Sequence, residues 1–338
     1  MVPLSLLGAV QRAAGRVRRL GAARVDPGRD AAAILSVERA ALMAQARELD
    51  LAASSLLAAS EDRLAFRVAW QDQSAVLKLS LAPSADRRLR REGRVLQALE
   101  HRGVVGAPRL LAQGRAGRGR FQVESLIPGR TADAAGEALL GPTAALIAPI
   151  HARTATQIMV DRRWLDRHVD RPMAQVHGVL HAALGDRGEA ERLASLGRTL
   201  HEALDGRLLR VALTHGDFWL QNVLLDARGA PSGIVDWDSA ACAPPAIDAL
   251  HLVLYRRKRT RRGPLGAELA RLLSGPAWSA AERAFLELLE PELLGVQLPT
   301  LAWLYWLRFV TGNVARHPSL GRNRGWVVAN VAQPLRHA

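Results

Sequence analysis

Between Ser54 and Leu126 the chain alternates apolar and polar residues in short runs, and beyond Pro128 its apolar residues return at helical intervals. Three strands are predicted over 54–60, 64–70 and 74–80, joined by Glu61-Asp62-Arg63 and Gln71-Asp72-Gln73. A helix over 85–100 follows, with Leu89, Val95, Leu96 and Leu99 near one face. Two more strands fit 109–113 and 121–126, with 114–119 as their hairpin. Upstream, residues 31–50 read as a helix of good formers. The Ala- and Arg-rich stretch before it ends at a turn, Asp26-Pro27-Gly28.

Ile127-Pro128-Gly129 reads as a hinge, and helices are predicted beyond it at about 134–157, 172–183, 188–204, 245–256, 264–274, 279–290 and 299–315. One strand-loop-strand island, 211–240, interrupts them, its turn marked by Gly229, Pro231 and Gly233. The expected organisation is a basic extension (1–30), a small antiparallel-sheet lobe (31–127) and a larger, mainly helical lobe (128–338), an α+β chain. A polar loop on short strands inside a helical domain is where chemistry tends to sit.

Composition narrows the picture. The 338 residues are 49% hydrophobic, enough for a sizeable core, yet only 4% aromatic, so Leu, Ala and Val must fill it. The single cysteine, Cys242, excludes an internal disulfide framework and a thiolate-rich metal site, and it fits a reducing, cytoplasmic setting. The net charge of +14 is carried almost wholly by arginine; Lys78 and Lys258 are the only lysines. Such a balance favours anionic partners. No recognised nucleic-acid motif accompanies the charge, so no nucleic-acid partner is expected. No transmembrane segment is expected either: the apolar run Leu298–Val310 is short and contains Arg308. At the N-terminus the apolar residues precede the arginines, the reverse of a secretory signal. That order leaves two readings, an amphipathic helix in peripheral contact with an anionic membrane or a packed or frayed helix.

The candidate chemistry begins in the island. Thr214-His215-Gly216-Asp217 is followed by Asn222, and Asp236-Trp237-Asp238 follows an apolar strand. A tight hairpin brings the ends of two strands back together, which would gather Asp217, Asn222 and Asp236 around one point. Hard cations such as magnesium take oxygen donors of this kind. Phosphoryl transfer needs such a cation and a carboxylate near the attacking hydroxyl. Three polar residues capping turns is the competing reading, but the chain has only four asparagines and one stands here. Upstream, Lys78 sits in the apolar strand AVLKLS, an expensive place for an unmatched charge.

At these residues the sequence resembles the aminoglycoside phosphotransferase and choline kinase family, distant relatives of protein kinases. The resemblance spans about 50–260, through HGDxxxxN at 215–222 and the Asp236-Trp237 pair. It implies a two-lobed, protein-kinase-like fold and transfer of the γ-phosphate of ATP or GTP, with Mg2+, to a hydroxyl of a small molecule. A sugar, an aminoglycoside-like compound or an amino alcohol would serve as acceptor. Carried over, Asp217 is the catalytic base or hydroxyl-orienting group, Asn222 and Asp236 are magnesium ligands, and Lys78, positioned by Glu92, contacts the phosphates. His215 supports the loop, Asp248 braces it, and His151 is structural. Glu124 and Leu126 fall where the family's linker reads the adenine edge with its backbone. One feature departs from protein kinases: no glycine lies between Gly28 and Gly93, so Ser60-Glu61-Asp62-Arg63 would have to cover the phosphates.

Three alternatives remain at this level: a catalytically inactive nucleotide-binding scaffold of the same fold, a protein kinase, and a nucleic-acid binder suggested by charge alone. Gly216 where protein kinases usually carry arginine speaks against the second. The cationic run 256–262, the acidic helices carrying Glu282, Glu287, Glu290 and Glu292, and the cluster Trp303, Tyr305 and Trp306 are each read first as surface or core.

Overall fold

Alternation along the strands decides how the first part of the chain packs. The computed structural model describes residues 27–117, 119–132, 136–185, 187–275, 277–291 and 297–338. Most of the basic extension, the helix start expected at 134 and Glu292 lie outside these residues. The chain divides into two compact units, one of residues up to 103 with 107–127, the other of 104–106 with 128–338.

The first unit is a five-stranded antiparallel sheet flanked by helices α1 (Pro27–Gln45) and α2 (Pro83–His101). Its strands are β1 (Leu49–Ala59), β2 (Arg63–Trp70), β3 (Gln73–Ser80), β4 (Leu110–Ala116) and β5 (Gly119–Ser125), in the order β1-β2-β3-β5-β4. Leu64, Phe66, Val68, Leu77, Leu79, Phe121 and Val123 are buried together with Leu35 and Leu42 of α1. A β-strand sends successive side chains to opposite faces, so Lys78, Gln122 and Glu124 leave that cluster for the other face of the sheet. The β2–β3 hairpin closes through Gln71 and Asp72, both at positive φ (46° and 63°), as a two-residue turn requires.

Two boundaries differ from the sequence expectation. The first helix stops at Gln45 rather than 50, and β1 starts at Leu49 rather than 54. Good helix formers mask an alternation, Leu49-Asp50-Leu51-Ala52, in which the leucines are buried and their neighbours exposed. The helix expected over 134–157 runs from Leu140 to Thr154 (α3). Thr154 ends it by accepting the amide of Leu213 on its hydroxyl (3.0 Å), and the chain continues as β7 (Thr156–Met159) beside β8 (Leu208–Thr214).

The second unit is mainly helical, with α4 (Arg171–Leu184), α5 (Arg187–Leu204), α6 (Ala246–Arg261), α7 (Leu265–Ser274), α8 (Ala280–Leu289) and α9 (Leu298–Arg316). Two small sheets carry the island. One is β10 (Pro231–Ile234), β9 (Val223–Leu225) and β6 (Arg130–Thr131); the other is β11 (Ala241–Ala243), β8 and β7. Trp303, Tyr305 and Trp306 are buried in α9.

The dense cationic run is not a free patch. Arg257 is buried and forks onto Glu282 (Nε–Oε1 2.8 Å, Nη2–Oε2 2.5 Å), while Arg256 reaches Glu282 (2.5 Å) and Glu137 (3.0 Å). Arg261 and Arg271 share Glu268. Glu282 also closes the capping box of α8 with Ser279. Burial would push its carboxyl up, but Arg257, the Ser279 amide and Arg256 outweigh burial and hold it below the ordinary range. Its contribution to stability is therefore complete above the unfolded glutamate value of about 4 and is lost as pH falls through the lowered folded value. Replacing Glu282 with Ala leaves the buried Arg257 guanidinium without its carboxylate and Arg256 with Glu137 alone, and should cost about 3–5 kcal/mol in urea unfolding. The variant should also lose less stability than the parent on going below about pH 4.

Candidate active site

Two polar clusters stand out, one in each unit. In the first, Lys78 is only 6% exposed, yet its ammonium is matched twice. Nζ lies 2.6 Å from Glu92 Oε1 and 2.9 Å from Glu124 Oε1. Lys78 pairs across the sheet with Gln122, and Glu124 is the next residue on that face. Gln122 Nε2 donates to Glu124 Oε2 (3.2 Å). Glu92 arrives from α2, where it is fully buried beside Leu89 and Leu96. A lone buried ammonium would be prohibitive; two carboxylates make it tenable.

The Glu124 backbone lies inside the sheet, opposite Val76 on one side and Leu110 on the other, and its carboxylate reaches Lys78. Leu126 follows β5 and gives its N–H to Ser74 O (3.4 Å). In the β1–β2 turn, Asp62 turns to Arg88 of α2 (2.5 Å). Burial would raise the Asp62 carboxyl, but the contact with Arg88 keeps it lowered.

The second cluster is built on Asp248, fully buried near the start of α6. Its Oδ2 accepts the His215 amide (2.7 Å) and lies 3.0 Å from His151 Nε2, while Oδ1 accepts the Gly216 amide (2.8 Å). Burial would raise this carboxyl; His151, His215 and the Gly216 amide outweigh it and lower it. Gly216 has φ +79°, and a Cβ there would meet Arg308 Nη2 at 2.2 Å and Ser239 O at 2.4 Å, so only glycine fits. His215 is buried, its Nε2 is 2.9 Å from Val235 O, and its ring packs 4.7 Å from that of Trp237.

The β9–β10 hairpin then returns the chain. Val235 N donates to Asn222 O (2.9 Å), which sets Asp236 beside Asn222. Asn222 Nδ2 donates to Asp217 O (2.8 Å), so its amide oxygen is turned away from that bond. Asp236 holds a left-handed conformation (φ 67°, ψ 58°), of the kind that costs about 1–3 kcal/mol and clusters at functional sites. Asn222 and Asp236 thus offer two oxygen donors. No cluster of three His, Cys, Asp or Glu with metal-binding geometry occurs among the described residues. A cation on this pair would complete its shell with phosphate and water, a pattern that suits magnesium.

The sequence reading missed three contributors. His251 of α6 places Nε2 3.1 Å from Asp217 Oδ1. From α9, Arg308 donates to Ser239 O (2.7 Å) and Arg316 to Ser239 Oγ, fixing the segment just after Asp236. Burial would raise the Asp217 carboxyl, but the His251 contact and the charge of Arg316 outweigh burial and hold it well below the ordinary carboxylate range. The signal was available: His251 and Arg308 are polar residues in apolar runs, the same argument that singles out Lys78.

The sequence profile of the phosphotransferase enzyme family matches residues 54–305, and the chain belongs to that family. Solved structures agree on the fold, which is that of the kinase-like phosphotransferases. The chain is 16% identical to a thermostable mutant of aminoglycoside phosphotransferase APH(4)-Ia in a ternary complex with ADP and hygromycin B (TM-score 0.57, 90% of this chain and 99% of that one). It is 14% identical to aminoglycoside 2'-phosphotransferase-IIIa in its GDP complex (TM-score 0.58, 88% and 96%). It is 18% identical to macrolide 2'-phosphotransferase MphH from Brachybacterium faecium (TM-score 0.57, 88% and 98%). No curated protein matches the sequence significantly.

Asp248→Asn replaces one carboxylate oxygen, in a site that two amides and a histidine fill, by an NH2 group. It should cost about 1–3 kcal/mol. Hydrogen exchange should show the His215 and Gly216 amides losing protection by that amount, with the first unit's sheet unchanged.

Proposed function

We propose that this chain transfers the γ-phosphate of ATP or GTP to a hydroxyl of a small molecule. The observation that carries the reading is the loop from His215 to Asn222, clamped by Asp248 and joined to Asp236 through Val235. In the proposed roles Asp217 orients the acceptor hydroxyl, Asn222 and Asp236 hold magnesium, and Lys78, set by Glu92 and Glu124, binds phosphate oxygens. Magnesium, when bound, supplies neutralisation of the phosphate oxygens. Asp217 is well suited to its role because it is ionised at neutral pH and so accepts the hydroxyl proton's hydrogen bond. The acceptor oxygen bonds to the γ-phosphorus, the bond to the β-phosphate oxygen breaks, the nucleoside diphosphate leaves with that electron pair, and the hydroxyl proton passes by way of Asp217 to solvent. Leu126, at the end of β5, keeps its C=O as a candidate for the base edge. A cytoplasmic setting accords with the one free cysteine, and no helix among the described residues is long and apolar enough to cross a membrane.

The acceptor reading rests on a cleft of the second unit. It is an open cavity of about 190 Å³, and its walls include Trp164, Arg167, His168, Leu304, Arg308 and Thr311. Arg308, which also packs against Gly216, links this cleft to the catalytic loop. Burial lowers the His168 ring's proton affinity, and the charges of Arg167 and Arg308 lower it further. Among the described residues no carboxylate lines the cleft. These walls favour a neutral or acidic hydroxyl compound over a polycation such as an aminoglycoside.

Asp217→Asn should reduce transfer by about 100- to 10,000-fold while nucleotide affinity holds, and Asp236→Ala should weaken magnesium-dependent nucleotide binding. Steady-state kinetics and calorimetric titration check both. Unchanged turnover in the first variant, or an unchanged magnesium titration in the second, removes the assigned role. In a phosphorylation panel, neutral and acidic sugars or alcohols should be turned over in preference to aminoglycosides. The reverse preference would exclude this cleft as the acceptor site.

A further inference from the structure

His251 lies in the apolar stretch Ala249-Leu250-His251-Leu252-Val253-Leu254 of α6 and is almost wholly buried. Its two ring nitrogens face different groups. Nε2 is 3.1 Å from Asp217 Oδ1, and Nδ1 is 3.1 Å from Tyr305 Oη of α9. The ring stacks on Tyr255 (centroids 4.3 Å, 28°) and meets the Tyr305 ring edge-on (5.9 Å, 66°), so it cannot turn freely.

The proton positions follow from donor and acceptor capacity. Tyr305 is fully buried, and burial, then the charges of Tyr255 and Asp217, push its hydroxyl well above the ordinary tyrosine range, so it keeps its proton. His251 Nδ1 is the one hydrogen-bond partner found for that hydroxyl among the described residues. If Nδ1 carried a proton, the tyrosine O–H would be buried without an acceptor, which is costly. Tyr305 therefore donates to Nδ1, and the ring's single proton sits on Nε2, facing Asp217. Nε2–H is not well aligned on Oδ1 here; catalytic hydrogen bonds often straighten only around bound substrate. Among the described residues His251 is the one side chain within ion-pair distance of the Asp217 carboxylate.

We propose that His251, its tautomer set by Tyr305, is a positioning residue that pins Oδ1 of Asp217 and leaves Oδ2 as the face that receives the acceptor hydroxyl. Its kinetic consequence rests on the phosphotransfer reading above; its tautomer does not. The nearer anchors of Asp217, the Asn222 bond to its carbonyl and the His215 contact with its amide, fix its backbone only. Carboxylate rotation about the side chain is left to His251.

The experiment has two arms on the full chain. In the first, phosphate release from Mg-ATP to water is measured for His251→Leu and His251→Gln. Glutamine can place an amide N–H near the position of Nε2 and should keep kcat within about tenfold. Leucine should lose about 100-fold, the scale of an ångström-sized misplacement. The KM for ATP should stay within about threefold in both. Equal losses in the two variants, or a wild-type rate in His251→Leu, overturn the proposal. In the second arm, a nitrogen-15 histidine spectrum should show His251 protonated on Nε2, and Tyr305→Phe should move its Nδ1 resonance. A proton on Nδ1, or an unmoved resonance, overturns it. If the chain neither binds nor hydrolyses nucleotide, the phosphotransfer reading fails alone and the spectrum decides the brace.

Discussion

A carboxylate removed entirely from water must find donors for its lone pairs, and Asp248 finds them in two consecutive backbone amides and an imidazole. The order of events in the loop follows from this. The two amides belong to His215 and Gly216, so the chain must turn sharply at the end of β8, and glycine is the residue that can do so beside Arg308 and Ser239. Asp217 emerges from the turn with its backbone committed and its carboxylate partly exposed. His215, held by its own amide, reaches Val235 and so ties the loop to the segment that carries Asp236. Buried charge of this kind is weak evidence of stability, because desolvation opposes the gain. Its effect here is to select one backbone path.

The first unit meets the same constraint with a different device. Period-two alternation drives Leu77, Leu79, Phe121 and Val123 into the cluster shared with α1, and it necessarily drives Lys78, Gln122 and Glu124 to the other face. On that face α2 supplies Glu92. Two carboxylates around one ammonium leave negative charge at a buried site, and Gln122 relieves part of it by donating to Glu124. The lysine is thus held in place by neighbours on two strands and a helix.

Arginine does much of the remaining work. With a net charge of +14 the chain invites a reading as an anion-binding surface. Several guanidinium groups are instead tied to neighbours within the chain: Arg257 and Arg256 on Glu282, Arg308 and Arg316 on Ser239, Arg88 on Asp62. Planar, multiply donating guanidinium groups suit such fixed positions better than lysine does. The acidic character noted for the later helices is partly the other half of these pairs; each pair cancels, so the excess of +14 is carried by cationic residues outside them.

Strands, helices and the candidate site residues each left a local mark in the sequence: alternation in 64–80, the HGDxxxxN run with its single asparagine, and a lysine kept in an arginine-rich chain. Boundaries failed where local propensity and alternation disagreed, as at Leu49, or where a partner strand far along the chain decided the matter, as at Thr156–Met159 beside β8. A sequence cannot say which way a strand residue points until the sheet register is set, and only that register brings the Glu124 carboxylate to Lys78. His251, Tyr305, Arg308 and Arg316 stayed unassigned for a related reason. Their partners lie 34 to 77 residues away, and no spacing rule spans that separation. The amino-acid order determined which chemistry the chain carries. Only the folded chain decided which of those groups face one another, because buried charges pair by position in space and not by distance along the backbone.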